Sequence, residues 1–167
     1  MPAATPTPCA LSLGSNLGDR GAHIRRAVEA IRVDIGPVTA VSRLYETAPW
    51  GEALVDTFPY LNAAVTCATG LSPKRVLAAL RSIERAGGRE RSVANAPRTL
   101  DVDLLFYGSA TLATPELTLP HPRLHLRRFV LAPLAEIAPD WRHPTLRTTV
   151  AGLLAACGDG LDVTPLP

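Results

Sequence analysis

The stretch Ala96-Pro-Arg-Thr-Leu-Asp-Val-Asp-Leu-Leu-Phe-Tyr-Gly108 opens as an irregular basic approach and turns into a strand. From Leu100 to Tyr107 the residues alternate. Leu100, Val102, Leu104 and Phe106 are expected on one face, and Asp101, Asp103, Leu105 and Tyr107 on the other. Two aspartates two residues apart on a strand share a face, where like charges oppose one another unless something positive stands between them. A divalent cation removes the conflict. Mg²⁺ in particular is held by one or two carboxylates with substrate phosphates and waters, not by a full protein cage. Arg98 lies just upstream, with Arg89 and Arg91 a little before it. Carboxylates for a metal beside arginines for phosphates outline a phosphoryl-transfer site. An Asp-x-Asp pair is also common on the solvated face of an edge strand, so the rest of the chain has to decide.

The 167 residues suffice for one domain with a full core, and a single domain over residues 1–167 is expected. Apolar residues at 47% and charged residues at 19% fit a soluble globular protein. A net charge of +2 is too mild to argue for a nucleic-acid or membrane partner. Cys9, Cys67 and Cys157 are odd in number, far apart along the chain and in no metal-ligand spacing, as free thiols in a reducing cytoplasm would be. Met1 leads into a Pro/Ala/Thr stretch without a charged start, so no signal peptide is expected. No segment reaches the roughly 18 apolar residues of a membrane span.

The flanking segments supply the other elements. Cys9 to Leu13 is a short apolar strand, followed by the turn cluster Gly14-Ser-Asn-Leu-Gly-Asp19. Ile24, Ala27, Val28, Ile31 and Ile35 recur at helical spacing behind an Asp19 cap, and Gly36-Pro37 stops that helix. Val38 to Glu46 reads as a second strand and Tyr60 to Thr69 as a third, with Tyr60 and Asn62 on one face. A flat ring beside an amide can stack on and hydrogen-bond a planar heterocycle, or can simply be a sheet margin. Ser72-Pro73 starts a second helix with the stripe Val76, Leu77, Leu80 and Ile83. Glu84 falls on that stripe, near the helix C-terminus where negative charge is disfavoured, which points to an arginine or a ligand as its partner. After the aspartate strand come a short strand at Leu117–Leu119, a helix over Leu124–Ile137 shortened or kinked at Pro133, and a last helix over Leu146–Cys157. The order β-α-β-β-α-β predicts an α+β fold, a ferredoxin-like core with added C-terminal strands and helices.

These segments carry a family resemblance. Leu11-Ser-Leu-Gly-Ser-Asn16, Tyr45-Glu-Thr-Ala-Pro-Trp-Gly51, Tyr60-Leu-Asn-Ala-Ala64, Gly88-Arg-Glu-Arg91, Pro97-Arg-Thr-Leu-Asp-Val-Asp103 and Leu119-Pro-His121 stand in order, closed by Arg127 with Phe129 and by Ile137-Ala-Pro139. The chain resembles the 6-hydroxymethyl-7,8-dihydropterin pyrophosphokinases of folate biosynthesis over nearly its whole length. Pro-Arg-Thr-Leu-Asp-x-Asp is the family's signature. The resemblance implies transfer of the terminal diphosphate of ATP to the pterin hydroxymethyl group, with release of AMP. It implies two Mg²⁺ ions held by Asp101 and Asp103, and Arg89 and Arg98 assisting transfer. Arg91, His121 and Arg127 would contact ATP, with Glu84 beside the nucleotide. Tyr60 and Phe129 would sandwich the pterin, and Asn62 would read its edge with backbone groups near Thr47 and Trp50. A cytoplasmic monomer is implied, with no nucleic-acid or membrane partner. The chain departs from the family at Asn95-Ala96, where Trp-Gly is common, at Ala48 in place of a proline, and at Ser92 in place of a lysine. Two rival readings are an RNA-binding module, which the 5% aromatic content argues against, and a family member retained for binding without catalysis.

Overall fold

The computed structural model describes residues 5–48, 58–88 and 99–167. Strand β1 (Thr7–Ser15) leads to helix α1 (Arg20–Asp34), then to β2 (Val38–Val41), β3 (Tyr45–Thr47) and β4 (Tyr60–Thr69). Helix α2 (Pro73–Ala86) precedes β5 (Asp101–Tyr107). The C-terminal part holds β6 (Leu112–Ala113), β7 (Thr118–Leu119), α3 (Arg128–Ile137), α4 (Val150–Ala156) and β8 (Val163–Pro165). The caps read from the sequence form: Ala22 N–H donates to Asp19 Oδ1 at 3.0 Å, and Arg75 N–H to Ser72 Oγ at 3.4 Å, with Pro73 at the first helical position. Past α1 the chain turns at Gly36, whose hydrogen faces β4. A Cβ there would lie 2.2 Å from the carbonyl oxygen of Ala68, so no other residue fits.

The main sheet runs β5-β1-β4-β3-β8, with β2 also paired to β4, and every pairing is antiparallel. Helix α1 carries the chain from β1 past β4 to β2, and α2 carries it from β4 past β1 to β5. These two split crossovers are the ferredoxin-like arrangement. Helices α1 and α2 cover one sheet face, burying Leu11, Leu13, Ile24, Ile31, Val65, Leu80 and Leu104. Helices α3 and α4 cover part of the other, burying Ala10, Ala64, Phe106, Leu131, Leu134 and Leu153.

Several local expectations are corrected. The strand read over Val38–Glu46 is broken into β2 and β3; at the break the Ser42 N–H still donates to Ala64 O at 2.9 Å, while the return bond from the Ala64 N–H goes to Ser42 Oγ, also at 2.9 Å, in place of a backbone carbonyl. Gly14 is not in the turn but inside β1. In β5 the register slips: Leu11 faces Leu104 while Ala10 faces Phe106, which leaves Leu105 extra. Phe106 therefore joins Leu105 under α3 and α4 instead of following Leu104, and Tyr107 returns to the α2 side, its hydroxyl donating to Leu71 O at 2.8 Å. The helix expected from Leu124 begins at Arg128, after a 3₁₀ turn at Leu124–Leu126. The helix expected from Leu146 begins at Val150, where Thr149 Oγ1 accepts from Gly152 N–H. Nothing local in the sequence marks β8, which covers the free edge of β3. Cys9 and Cys67, distant along the chain, face each other across β1 and β4 as buried free thiols.

Candidate active site

Alternation along four neighbouring strands builds a polar strip on the sheet face that carries α3 and α4. Beyond Ala10 and Ala64, that face presents Ser12 and Gly14 from β1, Tyr60 and Asn62 from β4, Asp101 and Asp103 from β5, and Tyr45 and Thr47 from β3. The register aligns them in rows. Tyr45, Asn62, Gly14 and Asp101 lie side by side across four strands, and Ser12 stands between Ala64 and Asp103. Interstrand spacing puts the Asn62 and Asp101 backbones about 10 Å apart, and strand rise separates Asp101 from Asp103 by about 7 Å.

At the β4 end, the Asn62 amide Nδ2 donates to Thr47 Oγ1 at 2.8 Å, and both side chains are buried. That bond aims Asn62 Oδ1 over Gly14, where a Cβ would stand 3.2 Å from it and 3.7 Å from the Tyr60 ring. The missing side chain at Gly14 is therefore what lets Asn62 and Tyr60 lie over β1. Tyr45, next in the row, is buried and its hydroxyl donates to Glu136 of α3, which also accepts from the Arg43 backbone N–H at 3.2 Å. Burial and then the Glu136 carboxylate push the Tyr45 phenol up. Glu136 is held down, against a burial that raises it, by the bonds from Tyr45 and Arg43.

At the β5 end, Asp101 and Asp103 are both half-buried. The His121 backbone N–H donates to Leu105 O at 2.9 Å, which docks the segment after β7 alongside β5. His121 Nδ1 accepts from Arg123 N–H at 3.1 Å, so in the neutral ring the proton sits on Nε2. Burial, then the Arg127 and Arg123 charges, push His121 down to about 4, with Asp101 pulling the other way. Burial likewise lowers Arg127, while Asp103 and Asp101 raise it. His121 thus feels the charge of Asp101, and the Arg127 guanidinium that of both aspartates. Arg127 also lies over the Phe129 ring, 5.8 Å from its centroid.

Glu84 is 5% exposed, and its Oε1 accepts the Val102 N–H at 2.9 Å. Trp50, Arg89, Arg91 and Arg98 lie outside the described residues. Among the described residues, no group of three or more His, Cys, Asp or Glu stands ready to hold a metal ion. Two half-buried carboxylates on one face suit a hard cation whose remaining ligands are substrate oxygens and water. Sequence reasoning missed Gly14, Arg123 and the Tyr45–Glu136 pair. Period-two counting extended one residue past Leu13 would have put Gly14 on the Asn62 face; Arg123 acts on His121 only two residues away, through a turn that no periodicity marks, and the Tyr45–Glu136 pair joins residues 91 apart.

Residues 10–139 match the sequence model of the family described as 7,8-dihydro-6-hydroxymethylpterin-pyrophosphokinase (HPPK). The chain is 39% identical over 142 residues to the 2-amino-4-hydroxy-6-hydroxymethyldihydropteridine pyrophosphokinase of Porphyromonas gingivalis, covering 83% of this chain and 95% of that protein. It is 47% identical over 131 residues to the Methylorubrum extorquens protein of the same name, covering 78% and 82%. Among solved structures, the wild-type HPPK-DHPS of Plasmodium falciparum superposes with a TM-score of 0.73 at 15% identity, over 90% of this chain. The chain spans only 44% of that longer protein, and the likeness speaks to the fold.

Proposed function

The chain belongs to the 7,8-dihydro-6-hydroxymethylpterin-pyrophosphokinase family, and from that membership we propose that it moves the β,γ-diphosphate of ATP onto the hydroxymethyl oxygen of 6-hydroxymethyl-7,8-dihydropterin, releasing AMP, in folate biosynthesis. The observation that carries the reading at the level of residues is the register that sets Asp101 and Asp103 on one sheet face, with Asp101 in a row with Gly14, Asn62 and Tyr45.

The pterin end of the site is the Tyr60–Asn62 corner. Asn62 gives its Nδ2 to Thr47, which leaves Oδ1 as an acceptor for the ring's amino or amide donors. Tyr60 from β4 and Phe129 from α3 offer flat faces for stacking, and backbone groups near Thr47 and Trp50 complete the edge. The nucleotide end is the Asp101–Asp103 corner. His121, neutral at pH 7, presents Nε2–H to a phosphate oxygen without adding a charge to be desolvated. Arg127 and Arg91 grip phosphate oxygens with a planar, permanently charged fork. Arg89 and Arg98 act at the transferred group, where charge develops. Asp101 and Asp103 are the residues that would hold Mg²⁺, two ions with ATP. When bound, the metal neutralises charge on the entering and leaving oxygens of an in-line transfer. The protein's own contribution is then positioning and electrostatics, and no side chain is assigned the hydroxyl proton.

The chain works as a single domain and a monomer in the cytoplasm, on small-molecule substrates, without a nucleic-acid or membrane partner. No helix among the described residues is long and apolar enough to cross a membrane. The test is AMP release from ATP with Mg²⁺ and the reduced hydroxymethylpterin, each omitted in turn. AMP formation that needs all three is expected, and Asp101→Asn or Asp103→Asn should lower it by on the order of 10²-fold or more. Formation of ADP would replace diphosphate transfer by a simple kinase reaction. Binding without turnover would favour the non-catalytic reading.

A further inference from the structure

Glu84 is an acid set in the buried stripe of α2 beside Val76, Leu80 and Ile83. Its position carries two costs. A buried carboxylate loses hydration, and a negative charge near a helix C-terminus opposes the helix dipole. A leucine would avoid both. One bond that the carboxylate makes there is from the Val102 N–H at 2.9 Å, with the donor and acceptor 18 residues apart. Val102 lies between Asp101 and Asp103, on the strand at one end of the sheet order. Among the described residues β5 pairs with one strand, β1, so within them a neighbouring strand holds its backbone from one direction. A hydrogen bond to a side chain of the packed helix supplies the second hold.

We propose that Glu84 is a positioning residue: by clamping the Val102 amide to α2, it fixes the backbone between the two aspartates and so the separation and aim of their carboxylates. The inference rests on the proposed role of Asp101 and Asp103 in holding the metal–nucleotide complex. It assigns Glu84 a place behind that site. The side chain acts through β5, so its acceptor oxygen matters and its charge does not.

Two variants separate those properties. Glu84→Gln keeps the shape and an acceptor oxygen. Glu84→Met fills similar space with a flexible apolar chain and no strong acceptor. The readouts are calorimetric binding of Mn²⁺ with a non-hydrolysable ATP analogue, binding of the pterin alone, and hydrogen exchange at the Val102 amide. Glu84→Gln should bind the metal–nucleotide within about threefold of the parent. Glu84→Met should expose Val102 to exchange and weaken metal–nucleotide binding about tenfold, roughly the worth of one buried hydrogen bond, with pterin binding within about twofold. Three results overturn the proposal. One is equal loss in both variants, which makes the charge the active property; Glu84→Gln decides this even if Glu84→Met does not fold. Another is parental metal–nucleotide binding in Glu84→Met despite faster exchange at Val102. The third is loss of pterin binding in step with the nucleotide, which marks a general packing role. Failure of the underlying site assignment looks different: Asp101→Asn and Asp103→Asn would then bind metal–nucleotide as the parent does.

Discussion

Substituting Gly14 by alanine adds one methyl group to the centre of the polar strip. Its Cβ would stand 3.7 Å from the Tyr60 ring, an ordinary contact, and 3.2 Å from Asn62 Oδ1, which is too close. The amide has to retreat by a few tenths of an ångström. It is 3% exposed and tied by Nδ2 to Thr47 at 2.8 Å, so retreat stretches that bond or turns Oδ1 away from the strip. A hydrogen bond of this kind contributes about 1 kcal/mol net, so losing its aim should weaken pterin binding by roughly fivefold. Stability should move little. Alanine is favoured over glycine in a strand interior by about 0.5–1 kcal/mol, which offsets the squeeze. The melting temperature should stay within about 4 °C of the parent. The assay is calorimetric titration of the pterin and, separately, of an ATP analogue with Mg²⁺, beside a thermal melt. Weaker pterin binding with nucleotide binding unchanged is expected. Unchanged pterin affinity in a folded Gly14→Ala protein would refute the placement of the pterin on the Tyr60–Asn62 corner.

Two further outcomes concern stability. His121 is held down to about 4 from an ordinary 6.5, so between those values the unfolded chain binds more protons than the folded one. Stability is then lost as pH falls through that window, by at most about 3 kcal/mol from this group, and His121→Gln should flatten the profile of urea midpoint against pH. His143 is lowered by burial and then by the His125 charge, and adds a loss of the same sign. A midpoint that does not fall between pH 6.5 and 4 in the parent would show His121 to be more solvated than its packing implies. Gly36→Ala should cost at least about 2 kcal/mol, since its Cβ would meet the Ala68 carbonyl oxygen at 2.2 Å and neither backbone can yield cheaply. A denaturant melt that places Gly36→Ala level with the parent would mean that the turn after α1 relaxes freely.

The Phe106–Trp141 stack, 5.5 Å between centroids, shows why some of this was out of reach of pattern reading. Strict alternation puts Phe106 with Leu104. The strand instead takes an extra residue at Leu105, and the ring goes under α3 and α4. A bulge is chosen by what the two layers above and below can pack, information that no window of β5 contains. The same holds for Ser42, whose hydroxyl takes a backbone N–H of a strand 22 residues away, and for β8, a three-residue strand that pairs along the edge of β3.

The sequence by itself determined the two helix starts at Asp19 and Ser72-Pro73, the α+β order of elements, the shared face of Asp101 and Asp103, and that of Tyr60 and Asn62. Each follows from a cap or a period written in adjacent residues, where backbone sterics and local hydrogen bonds act. Only the tertiary structure decided that Asn62, Gly14 and Asp101 fall in one row, that His121 is a neutral Nε2–H donor beside Arg127, and that Glu84 turns inward onto Val102. These depend on register, on burial and on contacts such as that of Glu84 with Val102, 18 residues away. Their energies exist only once the layers have closed and water has left the space between them.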